Sequence, residues 1–249
     1  LMKKALELKK KYQIAREKLF DTLISNNDGV QFNKNHTLLV DQVVKELVEE
    51  IQNQFPVSDF TLIAVGGYGR QDLSPKSDVD LLFLYQKSNK NIRDFITLLN
   101  NSLWDLGLEV GISYLTLKQA IIDSKKDIKT VTKFAESRHL IGDEDYYGEF
   151  VRSIKILIGK LNSLKLSEKK LLELVERHDY YLGIKSNLEP QIKEGIGGLR
   201  DIHTIIWVSI FMFNILKLED LIQINIFTSK EIKELRSAWK FLLTVRAFI

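Results

Sequence analysis

Two aspartates spaced i, i+2 at the head of an apolar run follow, after ten intervening residues, a double glycine that closes an earlier apolar run. This layout constrains the chain more than any other feature. The segment from Val65 to Leu84 reads V-G-G-Y-G-R-Q-D-L-S-P-K-S-D-V-D-L-L-F-L. Phe60 to Val65 and Val79 to Tyr85 are short and rich in β-forming residues, so each predicts a buried strand. Side chains two apart on a strand share a face, so Asp78 and Asp80 project together while Val79 and Leu81 face the core. Two adjacent carboxylates repel, and a bound divalent cation removes that penalty. Oxygen-only ligands favour magnesium or manganese over zinc. Gly66 and Gly67 let backbone N–H groups approach phosphate oxygens, Arg70 adds a cation, and the set predicts a triphosphate site. Two ions, typically about 4 Å apart, can orient an attacking hydroxyl and neutralise a leaving pyrophosphate. Other phosphate loops do not fit. The P-loop pattern is absent, and the G-G-Y-G-R run lacks the third glycine of a dinucleotide fingerprint.

The flanks predict an α+β protein: a small mixed sheet flanked by helices and followed by an all-helical domain. Residues 3–25 and 37–54 have helical apolar spacing, with Thr37 as a candidate N-cap and Pro56 at the exit. Ile92 to Trp104 reads as a helix and Leu108 to Leu117 as a third strand. Beyond residue 118 the pattern is almost wholly helical, over 127–140, 145–161, 167–183, 199–216 and 229–249. The expected domains are 1–56, N-terminal helices on the core; 57–125, the α/β core; and 126–249, a helical domain cut short at its end. The chain stops at Phe248-Ile249 inside a helical pattern without a cap, which reads as a fragment.

A second constellation runs from Asn187 to Trp207, N-L-E-P-Q-I-K-E-G-I-G-G-L-R-D-I-H-T-I-I-W. Pro190 and three glycines predict a turning backbone that opens a helix at Leu199, where N-terminal donors can hold an anion. An ordered connector between helices is the plainer alternative.

The D-x-D layout resembles the polymerase-β-like nucleotidyltransferase superfamily. The ordered series V-G-G-Y-G-R, S-D-V-D-L-L, L-E-V-G, E-S-R-H-L-I-G-D and N-L-E-P-Q-I-K-E-G-I-G-G-L-R-D-I-H-T resembles the N-terminal part of the bacterial PII uridylyltransferases. That resemblance implies attack of a PII tyrosine hydroxyl on the α-phosphate of UTP, with pyrophosphate released and Mg²⁺ (or Mn²⁺) held by Asp78 and Asp80. It carries over Gly66, Gly67, Arg70, Ser77, Asp78 and Asp80. Glu109 is the candidate third carboxylate, and Glu189, Lys193 and Arg200 are conjectural phosphate contacts. The full-length relatives continue into a His-Asp phosphohydrolase and ACT domains. His178-Asp179 lacks partner histidines and reads as a solvated face, so UMP removal and glutamine sensing are not expected of this chain. His36, His139 and His203 read as structural or exposed. A different acceptor, or an inactive nucleotide-binding fragment, are the alternatives.

Composition narrows the setting. The formal charge of +3 is spread along the chain, which gives no reason to expect nucleic-acid binding. With no cysteine, disulfides and thiolate metal sites are excluded. No secretory signal opens the chain, and the apolar run Ile205–Leu216 is too short to span a bilayer. A cytoplasmic protein without membrane partners is expected.

Overall fold

A computed structural model of the protein describes residues 2–183 and 191–249. The chain divides into two compact units, one of residues 1–27 and 31–157, the other of residues 28–30 and 158–249. In the first lie α1 (Met2–Asn26), most of α2 (Gly29–Gln54), β1 (Phe60–Ala64), α3 (Gly66–Gly69) and β2 (Val79–Tyr85). They are followed by α4 (Lys90–Asp105), β3 (Val110–Leu115), α5 (Leu117–Lys126), α6 (Ile128–Ala135), β4 (Arg138–Gly142) and most of α7 (Glu144–Lys160). The second unit holds α8 (Ser163–Gly183), α9 (Leu199–Phe213), α10 (Asp220–Gln223) and α11 (Ser229–Phe248).

The four strands form one mixed sheet in the order β3-β2-β1-β4. β1 pairs antiparallel with β2 and with β4, whereas β2 pairs parallel with β3. α4 makes the crossover between the parallel strands, as such a connection requires. Asn89 caps it, accepting from the Ile92 N–H at 2.9 Å. Its buried Ile92, Phe95, Ile96, Leu99 and Leu103 recur at helical spacing. Phe95 meets Phe60 and Phe83 at ring centroid distances of 5.6 and 5.7 Å, and the latter two stack at 4.8 Å. Val44, Leu47, Val48 and Ile51 of α2 join the same core.

Four expectations need correcting. The helix expected over 127–140 ends at Ala135, and residues 138–142 are instead the edge strand β4. Residues 126–157, expected to open the helical domain, therefore belong with the sheet. Thr37 is not an N-cap: α2 begins eight residues earlier, at Gly29, and the buried Thr37 hydroxyl donates to the Asn33 carbonyl at 2.7 Å inside the helix. The stretch 117–126, given no helix of its own, forms α5, capped by Thr116 accepting from the Gln119 N–H at 3.3 Å.

One long-range contact orders the loop that leads into β2. His36 of α2 is buried, and its Nδ1 lies 3.0 Å from the Leu73 carbonyl, which can only accept. Nδ1 is therefore the donor, and Nε2, 3.1 Å from the Tyr12 hydroxyl, accepts in the neutral ring. Burial pushes the His36 pKa below its ordinary value, and the bond to Leu73 only partly opposes this. The unfolded chain then binds the proton more readily than the folded one. This contribution to stability is complete above the unfolded pKa, about 6.5, and is lost as pH falls through the lower folded value. Urea unfolding should show a falling midpoint on acidification below about pH 6.5, and His36→Asn should flatten that dependence. An identical slope in both proteins would contradict this reading.

Candidate active site

β2 is an inner strand, so the backbone around the two aspartates is held from both sides. The Val65 N–H donates to the Asp80 carbonyl at 3.1 Å, and the Val79 N–H donates to the Glu109 carbonyl at 2.7 Å. Val79 is buried between the exposed Asp78 and the half-buried Asp80, as alternation requires. Asp80 lies opposite Gly111 in the parallel register. A Cβ added at Gly111 would come 3.3 Å from Asp80 Oδ1, and one added at Gly66 would come 3.6 Å from Asp80 Oδ2. The carboxylate thus lies between two glycines, and the absence of side chains there keeps its surroundings open. Its Oδ1 accepts from the Lys133 ammonium of α6 at 2.8 Å. Nothing in the sequence singled Lys133 out.

The double glycine forms the short turn α3 rather than an extended loop. Gly66 adopts φ +59, a left-handed value that favours glycine. Gly69 is required for another reason: a Cβ there would lie 1.8 Å from the Glu136 carbonyl oxygen. The neighbouring Arg70 binds the Glu136 carboxylate directly and reaches Asp72 Oδ2 at 3.2 Å. Its side chain is only 15% exposed and that of Glu136 3%. Arg70, expected as a phosphate contact, is thus engaged in ion pairs that fasten the turn to the segment before β4. Sequence reasoning missed Glu136, because its partner lies 66 positions away. Arg138 of β4 adds a second clamp, a two-pronged bond to Asp41 of α2 at 2.6 and 3.0 Å.

Asp78 arrives at the end of a loop held from α2. Leu73 and Ser74 are buried; His36 binds the former, and the Asn33 amide donates to the Ser74 hydroxyl at 3.2 Å. The Ser77 N–H donates to the Ser74 carbonyl at 3.0 Å, turning the chain into β2. Glu109 is exposed and, one step before the Val79–Val110 pair, adjoins Asp78 in register. Among the described residues no three His, Cys, Asp or Glu side chains converge as a metal cage. The fit to a hard divalent ion rests on two carboxylates one residue apart on an extended backbone. One of them already accepts from a cation, Lys133. Water and phosphate oxygens would complete the coordination.

The second constellation is organised differently from its expectation. Asn187 to Pro190, with Glu189, lie outside the described residues. The first N–H groups of α9, on Leu199, Arg200 and Asp201, donate to the carbonyls of Ile192, Lys193 and Gly198 at 3.0, 2.9 and 3.1 Å. They are engaged within the turn rather than turned to an anion. Arg200 forks onto Glu194, with Nη2 at 2.7 Å from Oε1, and its guanidinium lies 5.4 Å from the Trp207 ring centroid. Burial disfavours the charged form of Glu194, but Arg200 together with Lys193 and Arg177 outweighs it and holds the carboxyl below its usual pKa. Lys193 is half-buried in the same turn. His178 does not lie on a solvated face: its Nε2 is 3.0 Å from both oxygens of Asp201, which also accepts from Arg177 at 2.8 Å. The turn is an internally paired structure built by α8 and α9.

Comparison with known proteins follows the same division. Residues 44–141 match the nucleotidyltransferase domain family, and residues 165–249 match the family described as GlnD PII-uridylyltransferase. The chain is 37% identical over 219 residues to a bifunctional uridylyltransferase/uridylyl-removing enzyme of Hydrogenovibrio crunogenus, covering 86% of this chain and 24% of that protein. Identity is 36% over 195 residues to the enzyme of the same name from Chromobacterium violaceum, covering 78% and 22%. It is 31% over 244 residues to that of Caulobacter vibrioides, covering 95% and 26%. The chain thus spans about a quarter of the length of these curated relatives. No helix among the described residues is long and apolar enough to cross a membrane.

Arg70 distinguishes a structural cation from a ligand contact. Arg70→Met removes the guanidinium that binds the buried Glu136 carboxylate, and breaking a buried pair from one side typically costs about 3–5 kcal/mol. Urea unfolding should register a loss of that order. Unchanged stability, with nucleotide affinity alone reduced, would assign Arg70 to the ligand.

Proposed function

On the premise that this chain carries a nucleotidyltransferase domain followed by a segment similar to the PII-uridylyltransferases, we propose that it transfers UMP from UTP to a tyrosine of a PII regulatory protein. The observation that carries the transferase reading is the placement of Asp80 between Gly66 and Gly111, with Asp78 two residues before it. The uridylyl group is taken from the names of the relatives and the PII acceptor from the description of the matching family.

Asp78 and Asp80 hold magnesium or manganese in this reading, and the bound ion supplies neutralisation of charge at the triphosphate. The Gly66–Gly67 turn offers backbone N–H groups to phosphate oxygens, because neither glycine carries a Cβ of its own to keep them away. Ser77 borders the same loop. Arg70 and Glu136 keep the turn in place, a positioning role. In the transfer, the acceptor oxygen forms a bond to the α-phosphorus as the bond to the β-phosphate oxygen breaks. Pyrophosphate leaves and the hydroxyl proton passes to solvent. Positioning and charge neutralisation contribute most of the acceleration in reactions of this kind.

Incubation with α-labelled nucleoside triphosphates, PII and Mg²⁺ tests the proposal. Label should pass from UTP to PII, and Asp78→Asn or Asp80→Asn should lower the rate by at least about a hundredfold while the circular dichroism spectrum stays unchanged. A folded chain that never labels PII would refute the assignment, and label on another acceptor would redirect it.

A further inference from the structure

Lys133 stands where a metal-loaded site has no use for a fixed ammonium. It is carried by α6, whose N-terminus is set by Asp127 accepting from the Lys129 and Thr130 N–H groups at 3.1 Å each. Its Nζ lies 2.8 Å from Asp80 Oδ1, and its Cγ would lie 3.8 Å from a Cβ at Gly66. The aliphatic stem therefore runs past the glycine turn, and the charged end reaches the carboxylate from that side. Both side chains are about one-third exposed, at 31% and 35%. The ammonium thus remains free to move, and a pair so placed is weak.

We infer that Lys133 is an exchangeable countercharge. It neutralises Asp80 while no divalent ion is bound, yields the carboxylate to the ion, and passes its charge to the phosphates of the incoming nucleotide. The inference deepens the reading above and rests on it. Two physical points favour exchange over a static brace. An ammonium 2.8 Å from Oδ1 and a divalent ion on the same carboxylate repel one another, so binding of the ion weakens the hold on Nζ. Once displaced, the ammonium sits on a flexible four-carbon stem beside the turn that offers backbone donors to phosphate, and a short swing brings it to an anionic oxygen.

The two roles give opposite signs to one substitution. Lys133→Met keeps the stem and removes the charge. Mn²⁺ binding to this chain, read from the loss of the free-ion signal in electron paramagnetic resonance, should then become about two- to fivefold tighter, the worth of an exposed ion pair. Binding of UTP in saturating Mn²⁺, read by calorimetry, should weaken severalfold, and Lys133→Arg should restore both values toward those of the parent. Mn²⁺ affinity that is unchanged or weaker in Lys133→Met would overturn the exchange and make Lys133 a brace. UTP affinity that is unaffected would overturn the transfer of its charge to phosphate. Asp80→Asn separates these failures from failure of the underlying reading. If the parent and Lys133→Met bind Mn²⁺ no better than Asp80→Asn does, the metal site itself is refuted, and the inference with it.

Discussion

The position of Asp80 depends on hydrogen bonding along both edges of β2. Its own carbonyl is bonded to Val65 at the end of β1, and the residue before it is bonded to Glu109 at the entry to β3. A strand held on both sides has little freedom to slip, and a slip of one residue would turn both aspartates into the core. Leu81, Leu82, Phe83 and Leu84, all fully buried, set the cost of such a slip by the apolar surface it would expose. The site is thus a consequence of strand register, and register is a consequence of the core.

Around that fixed strand, the mobile-looking parts of the sequence are fastened from a distance. The glycine turn is anchored by Arg70 against the Glu136 carboxylate, where Gly69 lets the Glu136 carbonyl come close. The loop that delivers Asp78 is anchored by Asn33 and His36 from α2. Asp41 and Arg138 tie the same helix to the edge strand. Each anchor is polar, and each joins segments far apart in sequence, so they order the rim of the site where apolar packing ends. Lys133 is the exception. Its partner is a carboxylate assigned to the ion, and its exposure leaves it able to move.

Elements governed by local pattern were legible in the sequence. β2 spans Val79–Tyr85 as its apolar run implies, and α4, α7, α8, α9 and α11 lie close to their periodic segments. Those governed by distant partners were not. β4 hides in a stretch where Val131 and Phe134 keep helical spacing, and only pairing with β1 makes Arg138–Gly142 a strand. Thr37 looked like a cap because a polar residue precedes an apolar stripe, yet α2 continues upstream through His36 and Asn33, whose partners lie in the loop before β2. Asp78 and Asp80 were visible through their spacing. The engagement of Arg70, Arg200 and His178 with carboxylates was not, since a polar residue in sequence carries no mark of its partner.

The central claim is that the two aspartates share one divalent ion beside the glycine turn. Anomalous diffraction from crystals of the chain soaked in Mn²⁺ and UTP tests it most directly. The prediction is a manganese peak within coordinating distance of both the Asp78 and the Asp80 carboxylates, with phosphate density over Gly66 and Gly67. A manganese peak elsewhere on the chain, with nucleotide density also away from that turn, would contradict it.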